Sequence, residues 1–208
     1  AGLSVAEFRA QSRAAITARH GWDTNATLIL SLNRLHPFKG IEYLVEAIPQ
    51  LVAAGIDAHA IIVGGNRKTA RFGDYGTYLT QRAAVLGVAD RVHQIGGVPH
   101  HHVAEYMAGC DIAVIPSIAE SFSRVVIEAT AVGTPPVVTR TTGASDYVKE
   151  AECGEVVEPQ SAQSLADGIQ RAIVHHSALQ SRCVAFAEMF RGTVIADELT
   201  ATYRAHAL

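Results

Sequence analysis

The sequence predicts an α/β domain: a doubly wound (Rossmann-like) parallel sheet of six strands with helices on both faces. Three observations carry this expectation. Short β-rich runs alternate with amphipathic stretches from end to end, and such alternation is satisfied by a parallel sheet covered with helices. The first four runs hold few charges, as strands buried on both faces require. Turn-forming pairs close the runs, among them Gly64-Gly65, Gly96-Gly97 and Pro116-Ser117.

The elements follow in order. Residues 4–19 read as a helical lead-in, and residues 27–32 as the first strand, ending at Asn33-Arg34. Over residues 41–54 the side chains Leu44, Val45, Ile48, Leu51 and Val52 recur at helical spacing, and Gly55 ends the helix. The second strand spans 58–63. A polar loop with Arg67, Lys68, Arg71 and Gly73 then leads to a helix over 78–86. The third strand spans 92–95, followed by a short helix over 103–108. The fourth spans 112–115 and precedes a helix over 122–132, which Gly133 stops. The fifth strand spans 136–139 and opens on an unusual doubled proline, Pro135-Pro136. The sixth spans 155–157, and helices over 162–174, 181–190 and 194–204 complete the chain.

The length of 208 residues suits one domain, and an apolar fraction near half supplies a core. A formal net charge of −3 argues against general nucleic-acid binding, which needs a basic surface, but leaves room for a local basic pocket. Cys110, Cys153 and Cys183 are far apart and lack C-x-x-C spacing, so reduced, buried thiols are expected. No apolar run approaches the ~18 residues a bilayer span needs. No signal peptide is recognised, and Ala1 rather than Met stands first, so the expectation is a cytoplasmic chain processed or cut from something longer.

A doubly wound sheet carries its ligand crevice where the winding reverses, outside the carboxyl ends of the strands. With strand order 3-2-1-4-5-6, the lining comes from the segments after the first and fourth strands. The first supplies Arg34 and Lys39; the second supplies Glu120, Ser121, Phe122 and Ser123 and opens a helix that carries Glu128. Arg34 can fork onto phosphate oxygens and Lys39 adds a compact charge. The helix start offers free N–H groups and a positive dipole end, with Ser121 or Ser123 as N-cap. Glu128, about two turns into that helix, can accept two hydrogen bonds from a diol such as a ribose. Each residue singly reads as an ordinary surface charge; their convergence on one crevice suits a ligand with both phosphates and hydroxyls.

These residues also form a familiar frame. Pro116-Ser117, Glu120, then Glu128-Ala129 after a gap of seven residues, and Gly133-Thr134-Pro135 resemble the family 4 (group 1) retaining glycosyltransferases of GT-B fold. Arg34, Lys39 and Gly40 look like that family's phosphate clamp, and Gly154-Glu155-Val156-Val157-Glu158-Pro159 is similar to its G-x-x-V-x-P stretch. Residues 190–203 are similar to its last helix. The resemblance covers residues 25–205. It implies the C-terminal, donor-binding half: a lead-in from an interdomain linker over 1–24, a nucleotide-sugar domain over 25–180, and helices over 181–208 that cross back to an N-terminal domain. It implies that Glu128 binds ribose, that Glu120 and the backbone of Ser121, Phe122 and Ser123 hold the donor sugar, and that Arg34 and Lys39 neutralise the leaving diphosphate. The base would lie near Gly97, Val98 and Pro99. No cofactor and no metal are implied, since the clamp supplies the charge. The acceptor, a sugar, lipid or phosphorylated polyol, would be held by the other domain, which could also place the enzyme at the inner membrane surface; the isolated piece is expected not to turn over. Two departures stand out. Ser123 replaces a glycine common in the family, and Gly143-Ala144 replaces a Gly-Gly pair.

Two further features are weaker. His100-His101-His102 invites a metal reading, but adjacent side chains point in different directions and rarely converge on one ion, so a polar helix start is the plainer expectation. The basic loop with Arg67, Lys68 and Arg71 bears a loose resemblance to loops of sucrose-phosphate synthases and inositol-phosphate glycosyltransferases, and could contact a phosphorylated acceptor or act as a lid. Rival functions on the same scaffold are a nucleotide-sugar epimerase and a non-catalytic nucleotide-sugar-binding domain. A response-regulator-like domain would need acidic residues at the end of the first strand, where this chain is basic.

Overall fold

A computed structural model describes residues 3–66, 68–69 and 73–196. Arg67, Arg71 and residues 197–208 lie outside the described residues, as does the side chain of Lys68, so the lid expectation and most of the helix expected over 194–204 fall there too. The strands are β1 (Thr27–Leu32), β2 (Ala58–Val63), β3 (Lys68–Thr69), β4 (Gly73–Asp74), β5 (Val92–Gly96), β6 (Ile112–Ile115), β7 (Pro136–Thr139) and β8 (Glu155–Val157). The helices are α1 (Val5–His20), α2 (Ile41–Ala53), α3 (Tyr75–Val85), α4 (His100–Gly109), α5 (Arg124–Ala131), α6 (Ser145–Glu150), α7 (Ala162–Val174) and α8 (His176–Glu188). Six strands form one parallel sheet in the order β5-β2-β1-β6-β7-β8. This is the 3-2-1-4-5-6 order expected from sequence, with β3 and β4 set apart as a small antiparallel ladder.

Strand alternation sorts the core into two layers. Ile29, Ile112, Val114 and Val137 face α2, α3 and α7, where Leu44, Ile48, Leu51, Leu79, Leu165 and Ile169 are buried. Leu28, Leu30 and Ile61 face Ile16 of α1 and Tyr106 and Met107 of α4. Ala113, Ile115 and Val138 face Val126 of α5, Val148 of α6 and Phe186 of α8. Each such leucine, isoleucine or phenylalanine stabilises the fold by about 1.5–3 kcal/mol through burial. The three cysteines are free and buried, and burial raises each thiol, Cys153 to about 11 and Cys183 to about 12.

Local chemistry sets the ends. Ser4 and Glu7 form a capping box at the start of α1, and Gly21 closes it in the left-handed conformation. Asp74 accepts from the Thr77 N–H, so α3 begins at Tyr75, earlier than residue 78. The doubled proline sits where the sheet tolerates it: Pro136 is the first residue of β7, while the Pro135 carbonyl accepts from Ala113 N–H at 3.0 Å. The three histidines do begin a helix, since α4 starts at His100. Among the described residues, no group of three or more histidine, cysteine, aspartate or glutamate side chains could hold a metal ion, and no helix is long and apolar enough to cross a membrane.

Candidate functional site

The segments after β1 and β6 meet at the carboxyl edge of the sheet, where β1 and β6 are neighbours. Beyond β1 the chain stays extended: Asn33 N–H donates to Val63 O at 3.0 Å and Leu35 N–H to Gly65 O at 2.9 Å, so Arg34 is held between two anchored residues. His36 then caps a single 3-10 turn, Pro37–Lys39, through Nδ1, which accepts from Phe38 N–H. Gly40 ends the turn at φ 62°, packed so closely on the Pro116 carbonyl that a β-carbon there would overlap it. Phe38 O accepts from Ile118 N–H at 2.9 Å. These two contacts fasten the cationic loop to the acidic one.

The acidic loop is anchored from the other side by residues that follow β7. Ser117 O accepts from the hydroxyls of Thr139 at 2.6 Å and Thr141 at 2.8 Å. Glu120 N–H donates to Thr141 O, and the Gly143 and Ala144 N–H groups donate to Glu120 O and Phe122 O. A side chain at Gly143 would overlap the Ser121 carbonyl, so glycine is required there. Ala144 has an ordinary φ of −83° and is buried, which explains why the second glycine of the family's pair is dispensable.

The cleft so formed has a volume of about 520 Å³ and is lined by Arg34, Lys39, Glu120, Ser121, Phe122, Ser123, Arg124 and Glu128, with Asn33, His100 and Val103. It continues through Arg34 and Val103 into a recess of about 310 Å³ bordered by Gly64, Gly65, Gly97 and Val98. Arg34, Lys39, Glu120, Ser121, Phe122, Ser123 and Glu128 therefore line the cleft, while Gly97 and Val98 border the adjoining recess and Pro99 lines neither. Three details differ from expectation. Helix α5 begins at Arg124 rather than residue 122, so Glu128 stands little more than one turn in. Ser121 is not the N-cap; Ser123 holds that position, but its side chain accepts no capping bond. Lys39 is not a free cation, because its ammonium is ion-paired with the Glu120 carboxylate, both half-buried. Sequence reasoning missed Arg124 and His100. Arg124 is a cation at the positive end of a helix with no acidic residue in its first turn, a placement that favours an anion nearby.

Ser123 carries a further surprise. Its φ is 79° and ψ 93°, a region that costs a residue with a side chain on the order of 1 kcal/mol. The family's glycine would adopt it freely, which accounts for the glycine and makes the serine a strained substitute.

Two other depressions lack this chemistry. One of about 500 Å³, at the amino ends of β1 and β6, includes Arg9 and Arg13. Their guanidiniums are already bonded, Arg9 to Cys110 O and Thr134 and Arg13 to Asp111, Gly109 O and Thr24 O. The other, of about 810 Å³ beside β8, has its arginines paired, Arg140 with Glu158 and Arg182 with Glu152.

A doubly wound sheet with cations, two carboxylates and helix starts at its switch point defines a Rossmann-like domain suited to an anionic, hydroxyl-bearing ligand. Comparison with known proteins narrows this class. The family of glycosyl transferases group 1 matches residues 12–188, and the chain belongs to that family. A D-inositol 3-phosphate glycosyltransferase of Mycobacteroides abscessus is 30% identical over 203 residues, 97% of this chain and 44% of that protein. An uncharacterized glycosyltransferase of Methanocaldococcus jannaschii is 33% identical over 153 residues, 74% of this chain and 37% of that one. Among solved structures, Anabaena HepE in complex with UDP superposes with a TM-score of 0.80 at 25% identity, covering 100% of this chain and 56% of that one. Sucrose-phosphate synthase from Thermosynechococcus elongatus gives 0.76 at 28% identity, covering 92% and 48%. The architecture is that of the GT-B glycosyltransferases, and the chain spans about half the length of the relatives it matches.

Proposed function

We propose that this chain is the donor-binding domain of a retaining, family 4 hexosyltransferase, and that its cleft holds a nucleotide-diphospho-sugar. The carrying observation is the convergence of Arg34, Lys39, Glu120, the start of α5 and Glu128 on one cleft at the switch point. Glu128 accepts from the ribose hydroxyls. Gly97 and Val98 border the base, which the backbone there reads. The Lys39–Glu120 pair opens on binding: the ammonium turns to the diphosphate, and the carboxylate accepts from the sugar hydroxyls. As the bond to the sugar breaks, Arg34 and Lys39 stabilise the charge growing on the leaving diphosphate, in a setting where fixed charges act more strongly than in water. That work needs no metal. HepE, which this chain resembles, is known with UDP-glucose, which supports a nucleotide-sugar as the donor. A partner domain beyond this chain supplies the acceptor site, and the resemblance to D-inositol 3-phosphate glycosyltransferases favours a phosphorylated polyol. The chain alone then binds donor without turnover.

The test is calorimetric titration of the chain and of Glu128→Gln with UDP, GDP and ADP. One nucleotide should bind, and the variant should lose about ten- to a hundredfold, the worth of hydrogen bonds to a charged group. Equal affinity of both proteins for that nucleotide would remove Glu128 from the site and overturn the reading.

A further inference from the structure

Ser123 combines three properties that no packing role explains. Its backbone sits at φ 79°, where side chains are rarely found. It is only 9% exposed, and its hydroxyl has no hydrogen-bond partner among the described residues, not even the α5 N–H groups that an N-cap serine ordinarily serves. It also lines the cleft, between Phe122 and Arg124. The hydroxyl oxygen is not among the fully buried atoms that lack a partner, so it is open to the cleft rather than sealed in the core, and a strained backbone persists where its surroundings impose it. Here they do: Ala144 N–H donates to Phe122 O on one side, and Val126 N–H to Ser123 O on the other.

The consequence is a group of donors at the cleft that helix capping does not use up. Because Ser123 Oγ does not cap α5, the hydroxyl proton and the N–H groups of Arg124 and Val125 are left to the cleft, beside Arg34, Arg124 and the Glu120-paired Lys39. An oxygen that meets several donors at once, and carries no proton of its own, is an oxyanion. We infer that the Ser123 hydroxyl donates a hydrogen bond to the terminal phosphate of the bound nucleoside diphosphate and strengthens the preference for diphosphate over monophosphate. This rests on the reading of the cleft as a nucleotide-sugar site.

The experiment compares the nucleoside diphosphate bound most tightly among UDP, ADP and GDP with its own monophosphate, on the chain, Ser123→Gly and Ser123→Ala. Glycine removes the hydroxyl and relieves the backbone, so it controls for folding; alanine removes only the hydroxyl. Both variants should lose about tenfold in affinity for the diphosphate while the monophosphate stays within twofold, so that the discrimination between them shrinks by nearly tenfold. Unchanged diphosphate affinity in Ser123→Gly, or an equal loss for both nucleotides, would overturn the inference and leave the cleft assignment standing. Failure of the unsubstituted chain to bind any of the three diphosphates would instead strike the cleft assignment, and this inference with it.

Discussion

Gly40 joins the two loops that make the cleft, and replacing it by alanine separates backbone strain from steric contact. Its φ of 62° is left-handed, which costs alanine about 1–2 kcal/mol. Part of this, about 0.4–1 kcal/mol, is offset because alanine restricts the unfolded chain. In addition, a β-carbon at Gly40 would overlap the Pro116 carbonyl oxygen, and would lie 3.1 Å from its carbon and 3.3 Å from Tyr43 Cδ2. Clearing that overlap means moving one loop on the order of 1 Å, which costs about 1–3 kcal/mol by the standard of overpacked cores. Gly55 supplies the control: its φ is 81°, with nothing within 4 Å of the added carbon. Gly55→Ala should cost about 0.5–1 kcal/mol and Gly40→Ala about 3 kcal/mol. For a chain of this size these correspond to about 1–4 °C and 6–12 °C in Tm. Thermal unfolding followed by circular dichroism measures both. Gly40→Ala should also weaken nucleotide binding at least tenfold below its Tm, because Lys39 moves with the turn; Gly55→Ala should not. Equal losses of stability at the two positions would refute the claim that the loop junction is sterically locked.

Two other outcomes follow from side-chain chemistry. Lys39→Met leaves Glu120 half-buried without its partner and should cost about 1–2 kcal/mol in urea unfolding. Adding Glu120→Gln should restore most of it, and no recovery would argue against the pair. Burial, and then the charges of His59 and His20, hold His93 down from 6.5 to about 4. The folded ring thus resists a proton that the unfolded chain accepts: its contribution is complete above pH 6.5 and declines as the pH falls towards 4. Half-exposure screens the effect to about 1–2 kcal/mol. His93→Phe, which keeps the ring contacts with Trp22 and His59, should flatten the acid slope of unfolding free energy between pH 4 and 6.5; an unaltered slope would assign the effect elsewhere.

The sheet was legible because its strands carry few charges, are largely apolar and are punctuated by glycine and proline: β1, β2, β6, β7 and β8 begin and end where the runs do. Helix starts were less so, because caps rather than apolar periodicity set them. Asp74 opens α3 and Pro99 precedes α4, each about one turn before the first strongly apolar residue. The six residues of α6 are too few to show a helical repeat and went unread. In the site, residue types and topology were enough to bring Arg34, Lys39, Glu120 and Glu128 together. The Lys39–Glu120 pair was not legible, since its members are 81 residues apart and both read as ligand groups. The strain at Ser123 was foreshadowed by the replaced glycine, yet only the backbone angle shows that the serine occupies the glycine's conformation.

Amide chemical-shift mapping shows directly whether the ligand lies at the carboxyl edge of the sheet. Titration of the labelled chain with the preferred nucleoside diphosphate should shift the amides of Arg34, Gly97, Val98 and Ser123 to Val125, and leave those around Arg9, Arg13 and His176 at the opposite end unchanged. Shifts confined to the Arg9–Arg13 groove, with the Ser123 and Gly97 amides unmoved, would contradict that placement.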